Sequence, residues 1–200
     1  MASPLIILQR LQSELYVRSM RRQGVVVAST ARLIGKPIVH LKAGSALRIG
    51  ARVRLISDSR RTALGVNHPV VLRALSPNAV ITIGDDVGIS GGSICAAYRV
   101  EIGRGTMLGA NVTIADTDFH PLDHEWRRYE PTPTASPDDA VTISHNVFIG
   151  TGATILKGTV LGPHCVVGAG AVVKGQFEAG TVLAGNPARA LRTLKVNAAR

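Results

Sequence analysis

An aliphatic residue recurs at every sixth position through the C-terminal part of the chain: Ile143, Ile149, Ile155, Leu161, Val167 and Val173. The position four residues later holds a small or β-branched residue, as in Val147, Ala153, Thr159, Cys165 and Ala171. Gly follows the aliphatic residue at Gly150, Gly162 and Gly168. The same frame appears at Ile83, Ile89, Ile102, Leu108 and Ile114, with a weaker copy at Ile49 and Leu55. A six-residue period matches neither one face of a helix nor the strict alternation of a half-buried strand. It matches a short strand and a tight turn, repeated so that each aliphatic residue points inward. Each unit leaves its strand edges bare until the next layer stacks on it, so the pattern predicts an all-β solenoid. Three hexads make one triangular coil, which sets positions such as Thr151 and Ala169, 18 apart, above one another.

Three stretches break the frame. Residues 5–22 read as a helix with Leu8, Leu11 and Leu15 on one face and Arg18, Arg21 and Arg22 at its end. Residues 57–80, with Pro69 and Pro77, read as an inserted loop. Residues 115–140 hold four prolines, two His and the only Trp, and a long insert in a solenoid is where binding concentrates. After Gly185-Asn186-Pro187 the chain is expected to enter a short helix with Pro187 at its start. The expected organisation is a basic helical segment at 1–31, a solenoid at 32–188 carrying loops 57–80 and 115–140, and a C-terminal helix or tail at 189–200.

Composition agrees with strands: Val and Ile number 37 of 200 residues, while aromatics are 4%. Cys95 and Cys165 are too few for a disulfide framework and fall at expected inward positions, where thiols act as small apolar residues. The apolar Leu5–Leu8 run is too short for a signal-peptide core, and no apolar stretch reads as a membrane span. A cytoplasmic protein is expected. The net charge of +10 is uneven, since residues 1–84 carry 13 Lys/Arg against only Glu14 and Asp58. That excess would attract phosphates, anionic lipid or an acidic partner. Aromatic interleaving for base stacking is missing, so nucleic acid is not an expected partner.

The hexads, the run Asn111–Asp123 containing Asp118-Phe119-His120-Pro121, and Gly185-Asn186-Pro187-Ala188-Arg189 together resemble the hexapeptide-repeat acyltransferases. The loop run is similar to that of sugar O-acetyltransferases, and the Gly-Asn-Pro-Ala-Arg run to the motif that closes the family's solenoid. Ser90-Gly91-Gly92 and Gly65-Val66-Asn67-His68-Pro69 resemble the exopolysaccharide and capsule branch. The resemblance covers about residues 32–195. It implies a left-handed parallel β-helix, acetyl-coenzyme A as cosubstrate, a saccharide acceptor in surface polysaccharide biosynthesis, no metal, and a homotrimer with sites between neighbouring prisms.

The resemblance places the catalytic base at His120, and imidazole titrates near neutral pH as acetyl transfer to a hydroxyl requires. Without the motif His120 reads as a solvated loop histidine. A base needs an orienting group, and Asp118 and Asp116 are the nearby carboxylates. Asp118 falls four after Ile114, either inward on a regular coil or capping a turn where the coil has broken. The resemblance further implies coenzyme contacts at Phe148, Gly150, Thr151 and Ala169, whose N–H groups suit pantetheine amides or an oxyanion. It sets Lys174, Arg189 and Arg192 near the coenzyme phosphates.

Departures from the family narrow the acceptor. Phe148 stands where Trp is common, Lys174-Gly175-Gln176 displaces a lysine by one residue, and Gly91, Ala96 and Ala97 replace groups that hold a simple galactoside. An amino sugar or antibiotic is the alternative acceptor. Two other classes compete: a zinc enzyme like the γ-class carbonic anhydrases, and a scaffold that works through its basic N-terminal region. The zinc reading needs three His on regular coils, whereas His120 and His124 lie in the insert and no coil His is expected to pair with them. The Leu8–Leu11–Leu15 face caps the solenoid, packs on a neighbouring subunit, or lies on a membrane surface with Arg18, Arg21 and Arg22.

Overall fold

The computed structural model describes residues 4–195; residues 1–3 of the expected N-terminal segment and 196–200 of the expected tail lie outside them. A helix, Pro4–Arg22, precedes strands that fall in rotation to three sheets. The first sheet takes Val26–Val27, Ala46–Ile49, Val80–Ile83, Arg99–Ile102, Val141–Ile143, Val160–Leu161 and Gln176–Phe177. The second runs from Arg32–Ile34 through Phe148–Ile149 and Val166–Val167 to Thr181–Gly185 and Ala188–Thr193. The third runs from Ile38–Leu41 through Thr113–Ala115 and Thr154–Ile155 to Val172–Val173. Every pairing is parallel except the last, so each coil lays one strand on each face of a three-sided prism.

The hexad frame is the packing frame. Ile143 pairs with Leu161, Ile149 with Val167 and Ile155 with Val173, each one coil of 18 residues on. All six are at most 1% exposed, as are Val147, Ala153, Thr159, Cys165 and Ala171. Each large aliphatic side chain buried this fully contributes about 1.5–3 kcal/mol, and the stack repeats that gain on every face. The buried Thr159 hydroxyl donates to the Leu156 carbonyl at 2.6 Å, which removes the cost of its polarity.

The structure corrects the expected boundaries. Val26–Val27 already pairs with Arg48 and Ile49, so coiling starts inside the segment expected to be helical. Val71–Ala74 is a full strand of the third sheet, which limits the loop expected at 57–80 to its first part. The C-terminal helix is replaced by a hairpin: Ala188–Thr193 lies antiparallel on Thr181–Gly185, and Pro187 sits in the connection with a cis bond from Asn186. Cys95 faces outward, half-buried between Arg73 and Ala115, while Ile94 and Ala96 point in. The third-sheet strand there begins a residue early relative to the hexad count, and one residue of slip reverses the faces.

The N-terminal helix caps the first coil by an unexpected face. Val17 and Met20 are buried, and the buried Ser13 hydroxyl accepts from the Leu33 N–H at 2.9 Å. Leu8, Leu11 and Leu15 are instead half or more exposed, together with Ile7. Arg21 turns back onto the solenoid and donates to the Val27 carbonyl.

Candidate active site

The 115–140 insert leaves the prism at the edge where the third sheet hands over to the first, and its root is tightly held. Asp116 is fully buried, and its carboxylate accepts from the N–H groups of Ala97, Tyr98 and Arg99 at 2.5, 2.8 and 2.6 Å. Burial pushes this carboxyl up, and the three N–H donors pull against that. Asp116 therefore ties the insert to the coil below and is not free to orient a histidine. Thr117 is buried as well, and its hydroxyl accepts from the Phe119 N–H at 3.2 Å.

Asp118 does not point inward. The coil has broken by this residue, and the carboxylate meets the Lys157 ammonium at 2.9 Å. Lys157 also reaches Asp139, at 3.0 Å, where the insert returns to the prism. One cation thus clips both ends of the insert, and the two carboxylates push its ammonium pKa up. Asp139 is also held by the Ser136 N–H, the first of the causes that pull its carboxyl down. Sequence reading missed Lys157 because its partners lie 39 and 18 positions away and meet it only through the coil geometry.

His120 follows at once. Its N–H donates to the Asp118 carbonyl at 2.7 Å, closing a three-residue turn around Phe119, whose φ is +63°. The other non-glycine residues held left-handed are Arg, Asn, Asp and His; a bulky aromatic there is a strained exception. Strain of this kind persists where neighbours over-determine it, and it concentrates at functional sites. The buried Asp116, the Thr117 hydroxyl and the Lys157 clip supply that restraint. His120 is exposed beyond it.

The predicted coenzyme residues lie at a different edge, where the second sheet hands over to the third. Thr151 stacks under Ala169, and Gly170 donates to the Thr151 carbonyl at 2.9 Å. A Cβ on Gly150 would sit 2.5 Å from the Ala169 nitrogen, so only glycine lets the two layers close here. Among the described residues neither the Thr151 nor the Ala169 N–H meets an internal acceptor, which leaves two donors stacked on one edge. Arg189 joins the column through Ala184, which packs over Gly168. Arg192 pairs with Val182 farther along the same strand, and Phe148 is 44% exposed on the flank. Lys174 is not with them. It follows Val172–Val173 at the far edge of the third sheet, above Leu156 and the root of the insert. Within one chain the His120 edge and the Thr151–Ala169 edge stand one sheet width apart, roughly 15 Å at about 3.3 Å per residue.

The coil histidines His145 and His164 meet each other, their rings edge to face with centroids 5.2 Å apart. Among the described residues, no group of three or more His, Cys, Asp or Glu could hold a metal ion. No helix among them is long and apolar enough to cross a membrane. Burial pushes the Cys95 and Cys165 thiols up, away from thiolate reactivity.

Residues 140–175 match the family described as bacterial transferase hexapeptide (six repeats). That match falls on the regular coils after the insert. The chain is 35% identical over 107 residues to the putative lipopolysaccharide biosynthesis O-acetyl transferase WbbJ of Escherichia coli, covering 50% of this chain and 53% of that one. It is 34% identical over 97 residues to the galactoside O-acetyltransferase of the same organism, covering 48% and 45%. The chain thus spans about half the length of the curated relatives it matches. Among solved structures, a variant of AntD, an N-acyltransferase from Bacillus cereus in complex with dTDP-4-amino-4,6-dideoxyglucose and coenzyme A, aligns with a TM-score of 0.66 at 16% identity over 90% of this chain and 89% of that one. A galactoside acetyltransferase in complex with coenzyme A aligns with a TM-score of 0.50 at 21% identity over 96% and 83%. At these identities the structures show the shared fold, and the likeness to O-acetyltransferases rests on about half the length of the curated relatives.

Proposed function

We propose that this protein transfers an acetyl group from acetyl-coenzyme A to a hydroxyl of a saccharide in surface polysaccharide biosynthesis. The clamped, strained turn that presents His120 carries the reading. The neutral imidazole of His120 takes the proton of the acceptor hydroxyl, and the oxygen attacks the thioester carbonyl. The tetrahedral oxyanion accepts from a stacked backbone N–H, at Thr151 or Ala169. The C–S bond then breaks, and the coenzyme thiolate recovers the proton from the imidazolium. The products are the acetyl ester and free coenzyme A, and no metal takes part. Arg189 and Arg192 face the coenzyme phosphates from the column, and Phe148 and Gly150 flank and back the thioester arm.

Since base and column occupy two edges of one prism, the reading requires a homotrimer. The insert of one protomer then meets the Thr151–Ala169 edge of the next, and Lys174 serves the neighbour's coenzyme. The coils wind left-handed, as the resemblance implies, against the usual hand of parallel crossovers. Asp118 acts on the turn that aims His120 and not on its ring. The protein works in the cytoplasm. Its exposed Ile7, Leu8, Leu11 and Leu15, flanked by Arg10, Arg18 and Arg22, support a peripheral contact with the membrane surface.

His120→Ala tests the central claim. Turnover, followed as free coenzyme A thiol, is expected to drop by about 10²–10⁴-fold, with coenzyme A affinity by calorimetry unchanged. Turnover near wild type would remove His120 from the mechanism. Running the assay with an amino sugar beside its hydroxyl counterpart separates O- from N-acetylation.

A further inference from the structure

Between the N-terminal helix and the first two coils lies an open cavity of about 620 Å³, the size of a small-molecule site. Arg10, Arg32, Arg54, Arg60 and Arg61 line it, with Asp58 as the one carboxylate. Asp58 is already taken, because the Arg60 guanidinium binds both its oxygens at 3.0 Å. That hydrogen bond is the first cause holding the Asp58 carboxyl below its usual range.

Arg32 and Arg54 are directly opposed in register on the second sheet, about 4.8 Å apart at the backbone. Like charges opposed in this way destabilise a sheet. By contrast, Arg52 is paired with Asp86 and Arg99 with Glu101. Among the described residues no carboxylate pairs with Arg10, Arg32, Arg54 or Arg61. Four guanidinium charges therefore converge on one cavity without a counter-charge. Gly35 lets the chain at Ser57–Asp58 pack against this lining, since a Cβ there would meet the Asp58 nitrogen at 2.9 Å.

We propose that this cavity is a binding site for an organic diphosphate. Guanidinium forks match phosphate oxygens in pairs, and a diphosphate offers enough oxygens to bridge the Arg32–Arg54 pair and its neighbours. The site is separate from the coenzyme column. It sits on the first two coils, beneath the helix, whereas the insert leaves from the fourth coil and the column belongs to the last ones. It goes beyond the acetyl-transfer reading and stands without it.

Inorganic pyrophosphate is the probe, titrated by calorimetry into the full chain and into R32Q/R54Q and R189Q/R192Q. Saturable binding is expected in the wild type and in R189Q/R192Q, weakened at least about tenfold in R32Q/R54Q. Pyrophosphate should raise the melting temperature of the wild type and not of R32Q/R54Q, which unliganded should melt no lower than the wild type because a repulsion has gone. If the double variant fails to fold, R54Q alone must show the same loss of pyrophosphate binding. Competition by uridine diphosphate marks a soluble nucleotide as the source of the diphosphate. Competition by vesicles bearing a diphosphate lipid, against vesicles of phosphatidylcholine alone, marks a lipid-linked one. No saturable binding, or equal binding by R32Q/R54Q, overturns the proposal.

Discussion

The coils after the insert and the coils before it solve the same packing problem differently. From Val141 to Val173 each pairing advances by 18 residues, corners turn on Gly, Asn or His, and the outward rows hold Thr, Val and Phe. Between Val26 and Ile83 the same first sheet advances by 22 and then 34 residues, because the extra chain is spent outside the prism. There the outward rows carry arginine. The inward residues hardly differ: Leu33, Leu55 and Ile81 are as buried as Ile149. A solenoid thus keeps its core constant and places its variation at the corners, where added residues cost only loop closure, which grows slowly with length. The polar chemistry collects where the repeat is interrupted.

That contrast can be broken at the core first. Ile149→Ala should cost about 2–5 kcal/mol, while Leu64→Ala in the interrupting loop, where the side chain is 74% exposed, should stay within about 0.5 kcal/mol. Urea unfolding of both variants measures the gap, and equal losses would mean that the loop is packed. Next comes the root of the insert. Asp116→Asn keeps the shape but turns an amide N–H₂ toward N–H donors of the 97–99 turn, for an expected loss of about 1–3 kcal/mol. Denaturant midpoints check it. The clip should act on catalysis more than on folding. Lys157→Gln is expected to lower kcat about tenfold, or about 1.4 kcal/mol, at unchanged KM for acetyl-coenzyme A. Lys157→Arg should recover part of the loss, which a purely structural role would not require. The smallest effect is pH-dependent. The Asp139 carboxyl is held low by the Ser136 N–H, against opposing burial, with Lys157 adding to the pull. Its contribution is therefore present above the ordinary carboxylate range near pH 4 and lost as pH falls through the lower folded value. Limited proteolysis along an acid titration should show the insert being cut more readily only in that lower window.

The regular coils were the most legible part. A residue such as Ile155 is constrained by neighbours at fixed spacing on both sides, so periodicity alone predicts its burial and its partner. Val71–Ala74 was hidden because Pro69 and Pro77 flank it and the hexad count cannot cross a loop of unknown length. The hairpin at Ala188–Thr193 was misread because proline opens helices and turns alike, and only the pairing with Thr181–Gly185 distinguishes them. In the candidate site, His120 was legible through its motif. Asp118 was not, since its partner is chosen by Lys157, which arrives from the next coil. The buried role of Asp116 was likewise invisible, because three backbone donors leave no mark on side-chain sequence.

The antiparallel hairpin that ends the second sheet also bears on self-assembly. A stack of parallel coils presents at its end a template onto which another chain could add in the same sense, layer upon layer, toward a fibre. Ala188–Thr193 reverses direction on the last parallel strand, so the backbone groups it offers outward no longer match those of an incoming coil. At the opposite end Val17 and Met20 of the helix close over the first coil, and a helix offers no strand edge. Both ends of the second sheet are therefore closed to addition in register.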